Sequence, residues 1–183
     1  MLSKRACLLA VTATALSLAL SSATPAFAED TAALPGGASS LQETYDDWVV
    51  ACAAGDQAKG QKLCTLSQQQ FDKKSQQRVV AIEWKPSGDG IQGNLALPFG
   101  LALAKGAAFQ FDDGPVGKPA AFSTCLPTGC LVPIEFNKDI LAGMRKASHL
   151  NIKAVGADGK DIPFAISLKG FPNAFDRTKQ LAN

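Results

Sequence analysis

The chain has little of what imidazole, metal and nucleotide chemistry draws on. One histidine, one tyrosine, two tryptophans and two methionines occur in 183 residues. His149 is therefore the sole imidazole available to a serine or cysteine hydrolase. No serine sits in a G-x-S-x-G elbow, so a structural or surface role for His149 is expected. No C-x-x-C offers the low-pKa attacking thiol of a thioredoxin-like site, and no G-x-x-x-x-G-K-[ST] follows any strand-like run. Long hydrophobic runs are missing too. The main apolar stretch, Ala6 to Leu20, falls short of the roughly 20 residues of a bilayer span. With 46% apolar and 19% charged residues, the remaining composition is that of an ordinary globular protein, and one compact domain is expected.

The start of the chain reads as a secretion signal. Lys4 and Arg5 precede the apolar stretch, and Ala26 and Ala28 supply the small residues a signal peptidase requires, which places cleavage after Ala28. Loss of residues 1–28 removes Lys4 and Arg5 but no acid, so the excess of 18 basic over 16 acidic residues disappears. A neutral mature chain argues against nucleic-acid binding, which calls for a basic stripe or excess. No integral membrane segment is expected in it.

Cleavage also removes Cys7 and leaves Cys52, Cys64, Cys125 and Cys130. An even number of cysteines in an exported chain predicts disulfides. Four cysteines allow three pairings; spacing favours Cys52–Cys64 and Cys125–Cys130, each spanning turn-forming residues, without settling the matter. The spacings C-x11-C and C-x4-C do not resemble paired zinc knuckles, and no metal site is expected.

From Pro35 to Ser40 the chain is rich in glycine, serine and proline, and residues 29–44 read as a flexible leader. Short strand-like runs then follow one another. Trp48–Cys52 and Arg78–Trp84 are rich in β-branched and aromatic residues. Ile91 to Leu97 alternates, as do Leu150 to Ala154 and Ile162 to Leu168, the last two separated by an Asp158-Gly159 turn. Val132, Ile134 and Phe136 share a face, with Pro133 marking an edge or bulge. Asn137 is placed to cap one short helix over 138–147, where Ile140, Leu141 and Met144 line one side. The glutamines at 68–70 and 76–77 flank a polar segment read as an exposed hairpin connection. Many short strands with one helix predict an all-β, two-sheet antiparallel sandwich.

Asp112-Asp113-Gly114 and Asp158-Gly159-Lys160-Asp161 lack the ligand spacing of a calcium loop and read as turns. No catalytic or cofactor-binding residues, and no cofactor, are predicted. Carboxylate pairing in space, as in a glycosidase, is left to the fold, because the acids are scattered along the chain.

Several strings, in order, resemble the invasion-associated locus B family of exported bacterial proteins: Trp48-Val49-Val50-Ala51-Cys52, Cys64, Leu97-Pro98-Phe99-Gly100, Phe109-Gln110-Phe111-Asp112, Cys125-Leu126-Pro127-Thr128-Gly129-Cys130, and Ser167-Leu168-Lys169-Gly170-Phe171 with Ala174. The match covers residues 45–179, taken as one domain. The resemblance implies an immunoglobulin-like β-sandwich, a signal peptide, two disulfides at the four matching cysteines, and a periplasmic or outer-membrane-associated location in a Gram-negative envelope. It brings no catalytic residues. The expected function is that of a monomeric, non-catalytic interaction module for an envelope or host protein, with Leu126, Pro127, Thr128 and Gly129 as a disulfide-stiffened binding loop. The alternative is a hydrolase acting on an envelope polymer. A pocket with two close carboxylates, or with His149 beside a serine, would favour it.

Overall fold

The structure, a computed structural model, describes residues 33–183. The expected signal and its cleavage after Ala28 lie outside them. Among the described residues, ten strands form two antiparallel sheets. The larger contains β1 (Ser40–Tyr45), β2 (Trp48–Ala53), β3 (Leu63–Phe71), β4 (Arg78–Ser87) and β5 (Gly90–Leu97) as a meander, extended by β8 (Gly129–Phe136) and then β7 (Thr124–Leu126). The smaller has the order β10 (Asp161–Ser167), β9 (His149–Val155), β6 (Ala107–Phe111). The two-sheet antiparallel expectation holds.

Alternation decides which face is buried. Trp48, Val50 and Cys52 of β2, Cys64 and Leu66 of β3, Val80, Ile82 and Trp84 of β4, and Val132, Ile134 and Phe136 of β8 all point inward. They meet Leu150, Ile152 and Ile166 of the smaller sheet in one apolar cluster. Phe109 stands edge-on to Phe136 across the sheets, with ring centroids 5.5 Å apart, a favourable arrangement for aromatic quadrupoles.

The helix α1 (Lys138–Met144) forms where expected. Asn137 Oδ1 accepts the backbone N–H groups of Asp139 and Ile140 at 3.1 and 3.0 Å, satisfying two of the helix's orphan donors.

Two expectations need correction. First, residues 40–44 are not a flexible leader. They form β1, paired along its length with β2, and Leu34 is buried at 2% exposure. Leu41, Glu43 and Tyr45 alternate with exposed Ser40, Gln42 and Thr44 and give β1 an inner side that the glycine-rich residues before it obscure.

Second, a further helix, α2 (Phe171–Ala182), closes the domain. Phe171, Ala174, Phe175, Thr178 and Leu181 are buried at helical spacing, and α2 packs on β2, β3 and β4. Its first turn carries Pro172, which suits a helix start because the missing N–H has no partner there anyway. Arg177 clamps Glu43 through Nε and Nη2 at 2.8 and 2.7 Å, while the Tyr45 hydroxyl donates to the same carboxylate at 2.7 Å. Arg145 pairs with Asp176 and lies over the Phe175 ring at 5.3 Å.

The Arg177 guanidinium, and then the Tyr45 hydroxyl, hold the Glu43 carboxyl below its ordinary pKa; Arg145 does the same to Asp176. A lowered folded-state pKa gives stability that is complete above the unfolded carboxylate value and is lost as pH falls through the folded one. Acid titration below about pH 4.3 is therefore expected to loosen α2, seen as faster amide exchange in 171–182. A helix equally protected at pH 3 and pH 7 would contradict this.

The polar segment 71–75 lies at an exposed hairpin connection as expected, while Gln68 and Gln70, which precede it, belong to β3. They lie on the inner side of β3, with Gln68 only 6% exposed, and the hairpin turn is confined to 72–77. Their amides cap the free edge of β10. Gln68 Nε2 and Trp48 Nε1 each donate to Ser167 O at 2.9 Å, Ser167 N–H donates to Gln68 Oε1 at 3.1 Å, and Gln70 Nε2 donates to Ala165 O at 2.7 Å. Side chains thus do for this edge what another strand would do. Gln68→Ala leaves the Ser167 N–H without its partner and is expected to cost about 1–3 kcal/mol, read as a lowered urea midpoint. An unchanged midpoint would refute the clasp.

Candidate functional site

The inner face of the large sheet is fully used; among the described residues the outer face is not. Thr65, Ser67 and Gln69 of β3, Ala81, Glu83 and Lys85 of β4, Gln92, Asn94 and Ala96 of β5, and Leu131, Pro133 and Glu135 of β8 point away from the core. Register sets them in rows. Ser67 lies opposite Glu83, Glu83 opposite Asn94 and Asn94 opposite Pro133; beside them run Gln69, Ala81, Ala96 and Leu131. The result is a broad surface of small and amide side chains, with Glu83 in its middle and Lys85 and Glu135 on either side of Gln92.

One end of this face is framed by the hairpin joining β7 to β8. Leu126 pairs with Gly129 across the two turn residues Pro127 and Thr128, and Cys125 pairs with Cys130 directly behind them. The predicted loop is thus the tip of this hairpin, with Leu126 46% exposed. A register shift between Gln70 and Phe71 sets Arg78 opposite Phe71, which re-aims it as bulges do. Its guanidinium donates to Thr128 O and lines the same shallow depression as Ser67, Gln69, Ala81 and Ala96.

Both disulfides join directly opposed residues of neighbouring strands, Cys52–Cys64 in β2 and β3 and Cys125–Cys130 in β7 and β8. The spacing preference is met. With all four thiols oxidised, no cysteine zinc shell exists, and among the described residues no group of three or more His, Cys, Asp or Glu is placed to hold a metal.

Two groupings that would mark a hydrolase meet in shallow surface depressions, and several of their polar groups are used locally. His149 lines a surface depression with Ser148, Ser167 and Lys169. Ser167 Oγ donates to Asp47 at 2.6 Å, so its proton is turned from the imidazole. His149 Nδ1 lies 3.8 Å from Asp112, but that carboxylate accepts the backbone N–H groups of Ser148 and His149 at 3.0 and 2.8 Å and anchors the start of β9. Asp89 and Glu135 share an open depression with Asn137 and Lys138. Asp158 accepts the Lys160 N–H at 3.1 Å, as a turn aspartate does.

The model for the invasion associated locus B (IalB) protein family matches residues 48–179. The chain belongs to the IalB family. An invasion protein B homolog of Brucella abortus is 42% identical over 152 residues, covering 82% of this chain and 86% of the relative. Invasion protein B of Bartonella bacilliformis is 36% identical over 155 residues, covering 82% and 81%. The crystal structure of invasion associated protein b from Bartonella henselae superposes with a TM-score of 0.71 at 32% identity, over 77% of this chain and 96% of that one. The IalB match runs from Trp48 in β2 to Lys179 in α2, so the clasped β10 edge, both disulfides and most of the outer sheet face fall within it.

Proposed function

We propose that this IalB protein is exported to the bacterial envelope and acts there, or at the host surface, as a non-catalytic protein-interaction module. The observation that carries the reading is the uncovered outer face of the seven-stranded sheet, framed by the disulfide-tied hairpin of Leu126, Pro127, Thr128 and Gly129. Such a face is already ordered by paired backbone on both sides of β3, β4, β5 and much of β8. Little conformational entropy remains to be lost when a partner docks. The hairpin tip adds an exposed leucine at the rim, and Arg78 holds the loop to the sheet.

Two disulfides suit an oxidising compartment, and among the described residues no helix is long and apolar enough to cross a membrane. The relatives' name, invasion protein B, points to the host-facing version of the same role. The partner is an envelope or host protein, and the module acts as a monomer.

The test is a paired substitution that spoils the face without touching the core. Ala81 and Ala96 are neighbours on adjacent strands and point outward. Ala81→Arg with Ala96→Arg is expected to change stability by no more than about 0.5 kcal/mol per site, while binding to immobilised envelope or host-membrane extract drops at least tenfold. Undiminished binding by this folded variant would overturn the assignment of the face.

A further inference from the structure

The two disulfides differ in who can reach them. Cys52 and Cys64 are both buried, at 4% and 5% exposure, inside a sheet with paired strands on either side. Cys125 is exposed, as are Thr124 and Leu126 with it, while Cys130 is buried at 3%. β7 therefore contributes no buried side chain. It is held by its three-residue pairing with β8, by the Ser123 N–H donating to Leu131 O at 2.9 Å, and by the bridge itself.

Thiol–disulfide exchange requires a thiolate to approach one sulfur while the other leaves. Here access is one-sided. The exposed partner is the one attacked, and the buried partner is the one that departs. With a sequence separation of 5, the departing thiol stays beside the mixed disulfide, so reclosure is intramolecular and efficient. Arg78, bonded to Thr128 O two residues before Cys130, adds a cation at the hairpin that favours both an anionic attacker and a thiolate leaving group.

We propose that Cys125–Cys130 is a site of thiol exchange that controls the order of the β7–β8 hairpin. An incoming thiolate bonds to Cys125 Sγ as the bond to Cys130 breaks; the electron pair leaves on Cys130 Sγ, which takes a proton from water. A second reagent thiolate then attacks the reagent sulfur of this mixed disulfide, forming the reagent's own S–S bond as the bond to Cys125 breaks; the electron pair leaves on Cys125 Sγ, which takes a proton from water. The protein gains two thiols and the reagent leaves as its own disulfide. Reduction removes the covalent tie of a strand with no buried anchor, so β7 and the tip at 126–129 loosen while the core sheet stays intact. This goes beyond the interaction reading and holds whether or not the outer face binds a protein.

Glutathione is the probe. The oxidised protein is incubated with millimolar reduced glutathione in native buffer, quenched with acid and a maleimide, and mapped by peptide mass spectrometry. The expected products carry glutathione on Cys125 and maleimide on Cys130, with Cys52–Cys64 intact. Reaction at Cys125 is expected to exceed that at the buried bridge by more than about a hundredfold, because the latter reacts only from an opened state. Amide exchange should rise in 124–131 alone. Adducts on Cys130, comparable reaction at Cys52 or Cys64, reaction only after denaturation, or loosening of the whole domain would each overturn the proposal.

Discussion

Gly170→Ala is expected to cost about 3–5 kcal/mol, large enough to threaten folding of a domain of this size. Two independent causes act at one position. Gly170 has φ +83°, a left-handed conformation that an L side chain adopts only with strain. A Cβ built there would also lie 2.1 Å from Tyr45 O and 2.7 Å from Tyr45 C, inside the turn that joins β1 to β2. Relief requires moving either that turn or the start of α2. Neither moves freely, because the Glu43 carboxylate accepts both the Tyr45 hydroxyl beside that turn and the Arg177 guanidinium of α2. Urea unfolding of the variant reads the cost directly; a loss below about 1 kcal/mol would show that the contact is soft.

Gly93→Ala is expected to be as damaging, for a reason that is purely steric. Gly93 lies directly opposite Trp84, and its missing side chain lets the indole lie against the β5 backbone. A Cβ would meet Glu83 O at 2.0 Å, with Trp84 Cα and Cδ1 both at 2.8 Å. β5 is paired on both edges, with β4 and β8, so it has no free side toward which to shift. The indole would have to leave a cluster in which it is fully buried beside Trp48 and Phe171, with centroid separations of 5.5 and 6.2 Å. A loss of about 3–5 kcal/mol follows, with tryptophan fluorescence shifted toward the exposed state. Native fluorescence and an unchanged unfolding midpoint would contradict this packing.

Both glycines show where reading a sequence by pattern runs out. Alternation in Trp48–Cys52, Arg78–Trp84, Leu150–Ala154 and Ile162–Leu168 makes the strands visible because one buried face imposes a period of two. Asn137 is visible as a cap because its chemistry is local. Gly93 and Gly170 do their work against residues far away in the fold or across a strand pair, and nothing in their immediate sequence announces it.

The glutamine clasp escapes for the same reason. Gln68 is polar and flanked by polar residues, which reads as exposure until β10 arrives opposite it with unpaired backbone groups. α2 was legible in principle from the spacing of Phe171, Ala174, Phe175, Thr178 and Leu181, but Pro172 and the charged residues between them mask a stripe that only docking on β2, β3 and β4 makes apolar.

The candidate surface divides in the same way. The hairpin at 126–129 stands out because two cysteines bracket it. The outer face does not, since its residues come from four strands and share only a direction. His149 illustrates the converse: it attracts attention as the sole imidazole, yet the Ser167 hydroxyl and the carboxylate near it are engaged locally, with Ser167 bonded to Asp47 and Asp112 bonded to backbone.

Site-resolved photo-cross-linking tests the interaction reading most directly. A photoreactive side chain placed singly at Gln69, Asn94 or Leu126 samples the outer face and its rim, and one at Lys153 or Lys160 samples the exposed side of the smaller sheet. All five positions are exposed, so each tolerates the label. The account predicts a discrete cross-linked partner from the first three positions in envelope or host-membrane extract and none from the last two. A partner captured only from Lys153 or Lys160 would place the working surface on the opposite sheet and contradict it.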